Sequence, residues 1–225
     1  MEREKVMVLA PHPDDAVIGC GGALIKQLKK NRQITVYYMT SGENGSSEIS
    51  PNQLAFLREE EAKSGLASLG QISCVFLHLP DGDVQANSEN IQRIAMLLRQ
   101  ERPCYLYFPH LLERHLDHRA TAEIAQAAIL RAESPQHIGV ADSSWSPRFA
   151  LAYEVGTPMQ NYNFVEDIST EISQKIAALQ MHRTQLINLD YADATQGLNR
   201  FRGVMSQKGK YCEVFQITHC NLHSI

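Results

Sequence analysis

An apolar run followed by a helical stretch recurs four times in roughly the first 130 residues, and this alternation confines the chain to folds built on a parallel sheet. Val6-Met7-Val8-Leu9-Ala10 is apolar without interruption, as a strand covered on both faces must be. Residues 34–39, 74–79 and 104–108 repeat the pattern. Helices are expected up to Lys30, from Pro51 to Gly70, from Ser88 or Asn90 to Arg102, and from the end of the 109–116 loop to Ala132. A Gly- and Ser-rich segment at 41–52 and the turn Pro80-Asp81-Gly82 supply connections. The fold class is therefore α/β with a mostly parallel sheet. The C-terminal part is less regular. It carries an expected surface loop at 134–147 and strands at 149–155 and 161–168. A helix from Ser169 or Thr170 to Arg183, another at 193–206 and a closing strand at 211–218 follow. No repeat or linker divides the chain, so residues 1–225 are expected to form one domain.

Charge removes one class of partner. The net charge is −4, and the one basic group, Lys26, Lys29, Lys30 and Arg32, suits a solvated helix end rather than a phosphate-binding face. The five cysteines are odd in number and lack zinc-ribbon or CxxC spacing, as in a reducing compartment. Charged residues lead straight into the first strand, so no signal peptide is expected. No run reaches the ~20 apolar residues that span a bilayer. The expectation is a cytoplasmic protein with neither nucleic-acid nor membrane partners.

The chemistry-bearing residues fall where strands end. In doubly wound sheets, ligands bind beyond the carboxyl ends of the strands. His12, Asp14 and Asp15, in Pro11-His12-Pro13-Asp14-Asp15, follow the first strand directly. A catalytic zinc takes three ligands from His, Asp, Glu or Cys and keeps one position open. His12 and Asp15 are spaced so that a tight turn can aim both at one ion, which leaves Asp14 as a general base. A plainer alternative has both aspartates capping the next helix and His12 as a turn residue. Gly19, Gly21 and Gly22 lack the GxGxxG fingerprint and suit close packing of helix on sheet. After the fourth strand comes His115-Leu116-Asp117-His118. There His118 can supply a third ligand, and Asp117 can accept a proton from an imidazole and fix its tautomer.

Together, PHPDD after the first strand, Gly-Cys-Gly-Gly at 19–22 and HxDH about a hundred residues on resemble the PIG-L or LmbE-like deacetylases. Thr40-Ser41-Gly42-Glu43, Arg58 with Glu61, Leu79-Pro80-Asp81-Gly82 and Tyr211-Cys212-Glu213-Val214-Phe215 extend the resemblance over nearly the whole chain. It implies a Rossmann-like three-layer fold and one Zn2+ per chain, other divalent ions being able to use the same donors. It further implies His12, Asp15 and His118 as metal ligands and Asp14 as general base. His115 would be a protonated electrophile oriented by Asp117, and Arg58, Glu43 and Asp81 would contact substrate. The implied activity is hydrolysis of an N-acetyl group on a small amino sugar or sugar conjugate, in a chain compatible with homo-oligomers. Alternatives are a zinc hydrolase of a non-sugar amide or ester, and a silent sugar- or nucleotide-binding member. The family usually has Glu after the two aspartates, where this chain has Ala16. Trp145 suits a partly buried loop aromatic better than a lid. His110, His182 and His219 are further candidates to approach the site, though a structural role suits each alone.

Overall fold

The computed structural model describes residues 3–135, 143–187 and 189–221. The expected loop at 134–147 therefore lies partly outside the described residues.

Each apolar run becomes a strand, and each following stretch a helix. The elements are β1 (Lys5–Ala10), α1 (Asp15–Lys29), β2 (Gln33–Tyr38), α2 (Pro51–Leu69), β3 (Ile72–Phe76), α3 (Ser88–Glu101), β4 (Tyr105–Pro109) and α4 (Leu116–Glu133). Then come β5 (Phe149–Tyr153), β6 (Phe164–Asp167), α5 (Ile172–Leu179), α6 (Arg183–Leu186), α7 (Tyr191–Ser206) and β7 (Cys212–Cys220). One seven-stranded sheet runs in the order β3-β2-β1-β4-β5-β7-β6. The first five strands are mutually parallel, and β7 lies antiparallel between β5 and β6.

Helices cover both faces, which is why β1 has no polar face. Val6, Val8 and Ala10 join the core under α1, α2 and α5, while Met7 and Leu9 join the core under α3 and α4. The expected reason for the glycines in α1 holds. A Cβ on Gly19 would overlap the Tyr153 ring, and one on Gly22 would stand 2.6 Å from Ile168 Cγ2.

Several boundaries differ from expectation, β5, β6, α7 and β7 by a few residues at their ends and three others for a visible reason. β3 stops at Phe76 because the chain turns at His78, which has a φ of 54°. Leu77 and Leu79 still donate to Tyr38 and Met39 carbonyls. The single helix expected up to Arg183 is broken at 180–182 into α5 and α6. Asn87, rather than Ser88 or Asn90, caps α3, its side chain accepting from Asn90 N. No helix among the described residues is long and apolar enough to cross a membrane.

The order of the strands places the site. The chain winds outward from β1 through β2 to β3, then returns to the other side of β1 as β4. The loops after β1 and β4 therefore diverge at the carboxyl ends of neighbouring strands, the crevice where such sheets bind ligands.

Candidate metal centre and catalytic cleft

His12 and Asp15 flank the turn from β1 into α1. Asp14 occupies the cap position of α1, yet its side chain makes no cap hydrogen bond. The Asp15 side chain turns back instead, Oδ2 accepting from the His12 backbone N–H at 2.8 Å. The plainer capping explanation thus does not describe this turn. From the loop after β4, His118 enters on the first turn of α4. His12 Nδ1 is 3.1 Å from Asp15 Oδ2 and 3.2 Å from His118 Nε2, which is itself 3.2 Å from Asp15 Oδ2.

These three atoms fit a small divalent ion. Donors held ~2.0–2.1 Å from a tetrahedral zinc are separated by about 3.3 Å. Two imidazole nitrogens facing each other beside a carboxylate oxygen also suit a shared cation, since two N–H groups could not point into that gap. Electrostatics agrees. Burial would lower the His12 pKa, but Asp117, Asp15 and Asp81 outweigh it and raise the value well above the ordinary one. His118 is raised to about 9, Asp15 and Glu113 overcoming desolvation. Burial would raise Asp15, yet the two imidazoles hold its carboxyl far below the usual range. The cluster attracts positive charge, which protons supply when no metal does.

The far side of His12 is a second cluster. Its Nε2 is 3.1 Å from Asp117 Oδ2 and 3.2 Å from Asp81 Oδ1. Asp117 is already committed, accepting from Gly82 N at 2.8 Å and Val84 N at 3.0 Å. The Nδ1 side is therefore the one that could take a cation, and the carboxylates would then hold the Nε2 proton.

Two expected roles change here. The Asp117 carboxylate orients His12, not His115. His115 instead caps α4, its Nδ1 accepting the Asp117 backbone N–H at 3.2 Å. Burial and the neighbouring His12 and His118 push its pKa down. A lowered value favours the neutral ring, and Nδ1 as acceptor leaves Nε2 to carry its hydrogen.

A cleft of about 620 Å³ opens over these residues, lined by Asp14, His115, Arg58, Asp81, Asn44, Arg114, Gln185 and Tyr191 among others. Asp14 is 5% exposed. Burial and the adjacent Asp15 charge raise its pKa, against opposing effects of His182, His12 and a hydrogen bond from Gln185. Arg58 reaches Gly42 O at 2.6 Å and carries a buried Nε without a hydrogen-bond partner. Glu43 does not line the cleft; its Oε1 accepts from Asp81 N at 2.9 Å and braces that loop.

His182 is buried behind Asp14, both ring nitrogens without partners. His110 is buried beside the cleft rather than in its wall, its Nε2 2.8 Å from Thr157 O. His219 is elsewhere, against Ser146 and Glu133. Trp145 is half-buried, with its indole N–H on Pro103 O, so it is no lid. Glu113, Gln185 and Tyr191 escaped the sequence analysis. Glu113 lies two residues before the HxDH motif, a signal of position only, and the other two lie in the irregular C-terminal part.

A larger open groove of about 680 Å³, lined by Arg3, Asn31, Gln33 and Ser73, lies at the opposite ends of the strands, away from these ligands.

Comparison with known proteins gives the family and the fold. The PIG-L family model, described as GlcNAc-PI de-N-acetylase, matches residues 7–129. A diacetylchitobiose deacetylase of Thermococcus kodakarensis is 30% identical over 195 residues, spanning 81% of this chain and 70% of the relative. The structure of N,N'-diacetylchitobiose deacetylase from Pyrococcus horikoshii superposes with a TM-score of 0.86 at 26% identity, covering 96% of this chain and 84% of that one. GalB, the 4-carboxy-2-hydroxymuconate hydratase of Pseudomonas putida, also gives 0.86, over 97% and 98% of the two chains. At 20% identity that likeness concerns the fold alone.

Proposed function

Because the chain belongs to the PIG-L family, whose members include named deacetylases, we propose that this N-deacetylase hydrolyses the acetyl amide of a small amino sugar or sugar conjugate at a single metal centre. His12, Asp15 and His118 would hold the ion, and zinc suits two imidazoles and a carboxylate. The observation that carries this proposal is the convergence of His12 Nδ1, Asp15 Oδ2 and His118 Nε2 to within 3.2 Å of one another.

A divalent ion bound there supplies Lewis acidity, polarising the amide carbonyl and easing the ionisation of water. The remaining chemistry belongs to the side chains. Asp14, free of capping, takes a proton as the water oxygen bonds to the carbonyl carbon. Its raised pKa brings it nearer the range where one carboxyl can both accept and donate. The same group returns the proton to the amine nitrogen as the C–N bond breaks, giving free amine and acetic acid, which ionises to acetate by releasing its proton to solvent. His115, its Nδ1 occupied by the Asp117 backbone, presents Nε2–H to the oxygen that accumulates charge. Arg58, Asp81 and Asn44 line the cleft with the donors and acceptors that sugar hydroxyls need. The five cysteines are free, which supports a reducing compartment.

The test is acetate release from a panel of N-acetylglucosamine, N,N'-diacetylchitobiose, acetylated non-sugar amines and an acetate ester. Each is assayed with and without chelator, then with zinc restored. Release from the sugars, lost on chelation and regained with zinc, is expected. Turnover confined to the non-sugar compounds would move the substrate class, and turnover indifferent to chelator would remove the metal.

A further inference from the structure

His12 and His118 are the two imidazoles of the metal centre, and each needs its remote nitrogen held. For His12 the holder is Asp117, a buried carboxylate clamped by two backbone N–H groups of the loop after β3. On the other side of the centre the same construction recurs with Glu113. This residue lies in the loop between β4 and α4 and is 1% exposed. Its carboxylate accepts the backbone N–H groups of Val155 at 2.7 Å and Thr157 at 3.1 Å, just past β5. His110 Nε2 stands 3.4 Å from Oε1 and His118 Nδ1 stands 3.6 Å from Oε2. His118 Nδ1 is buried and has no hydrogen-bond partner. An N–H stranded there is costly, so an anchored carboxylate facing it has a physical purpose.

We propose that Glu113 is the positioning residue of His118, accepting the Nδ1 proton so that the Nε2 lone pair is directed at the cation. This rests on the metal-centre assignment made above. It joins the ligand from α4 to the strand β5 exit, so that ring orientation is fixed by the sheet rather than by the helix turn alone. Each imidazole then has its own outer carboxylate, and each carboxylate is braced by a loop leaving a different strand. Partners of this kind typically contribute about 10- to 100-fold in metal affinity.

Zinc dissociation constants, measured by competition with a chelator of known affinity, test this on the wild type, E113Q, E113D and T157A. Unfolding temperatures of the metal-free proteins are recorded alongside. T157A removes the hydroxyl that accepts from Arg114 N and so loosens the same loop while keeping the Thr157 backbone N–H that the carboxylate accepts. Zinc binding should weaken about 10- to 100-fold in E113Q and less in E113D, and should stay unchanged in T157A even where T157A melts earlier. Equal affinity in wild type and E113Q, or a T157A loss as large as that of E113Q, overturns the proposal. Should E113Q not fold, E113D decides alone, and an affinity within about twofold of wild type counts against Glu113. A wild type that takes up no zinc removes the metal centre itself, whereas tight wild-type binding with unaffected variants removes only the role of Glu113.

Discussion

At the scale of single residues, the centre separates two adjacent aspartates by what surrounds them. Asp15 faces two imidazoles and stays ionised; Asp14 faces burial and its neighbour's negative charge and holds a proton more readily. Such divergence between neighbouring carboxyls supports the proposal of Asp15 as ligand and Asp14 as base. Asp14→Asn keeps the shape and loses the basicity. It should bind one zinc per chain, by elemental analysis, while turnover falls about 10²- to 10⁴-fold. Near-normal turnover in that variant would place the base elsewhere. The clustering of His12, Asp15 and His118 was legible in the sequence because they lie in the segments that follow β1 and β4. The partner of Asp117 was not legible. Whether a carboxylate meets His115 or His12 depends on where the loop after β3 lies, and Gly82 and Val84 draw Asp117 toward it.

Among elements, α1 and its cap position carry the two aspartates, and the less regular C-terminal part locks the helix in place. The Lys175 ammonium, on α5, is fully buried and donates to Ile18 O, Asn199 Oδ1 and Glu213 Oε1 at 2.7–2.9 Å. Glu213, on β7, in turn accepts from Gly22 N and Ala23 N at 2.8 Å. The pair therefore bonds to the α1 backbone from two directions, just beyond the turn that presents Asp14. Lys175→Met should cost about 3–5 kcal/mol in urea unfolding, because it strands the Glu213 charge. Adding Glu213→Gln should recover part of that loss. If the double variant is no more stable than the single one, the stranded charge is not the cause. The four βα units were readable because burial on both faces demands uninterrupted apolar strands. The α5–α6 break was not, since Leu179, His182 and Leu186 keep helical spacing across it. What breaks the helix is tertiary: the His182 ring packs against Gly65 of α2, where a Cβ would stand 2.8 Å from Nε2.

For the molecule as a whole, the proposed ligands come from the segments that part at the switch between β1 and β4, so an ion held by them would tie the two halves of the sheet together. Binding to the folded state alone stabilises it by about 2.7 kcal/mol when free zinc is 100 times Kd. For a chain of this length that corresponds to about 5–10 °C in unfolding temperature. The increment must depend on pH, because zinc displaces protons from the rings it meets. In the metal-free protein the His118 pKa is raised to about 9, against about 6.5 when unfolded. A raised value stabilises the metal-free fold fully below about pH 6.5, and that contribution is lost as pH climbs through about 9. Zinc must overcome the same proton, so its affinity falls about tenfold per pH unit for each proton displaced. Lowering the pH by one unit at fixed zinc takes 100 Kd to 10 Kd and the stabilisation from about 2.7 to about 1.4 kcal/mol for one proton. These are two views of one proton: the difference in unfolding temperature between zinc-loaded and metal-free protein should widen steadily from pH 6 to pH 8. Calorimetry at fixed free zinc measures that difference, and His118→Ala should abolish it at every pH. A gap that stays constant across this range would mean that zinc meets no protonated imidazole, and would place the ion away from His12 and His118.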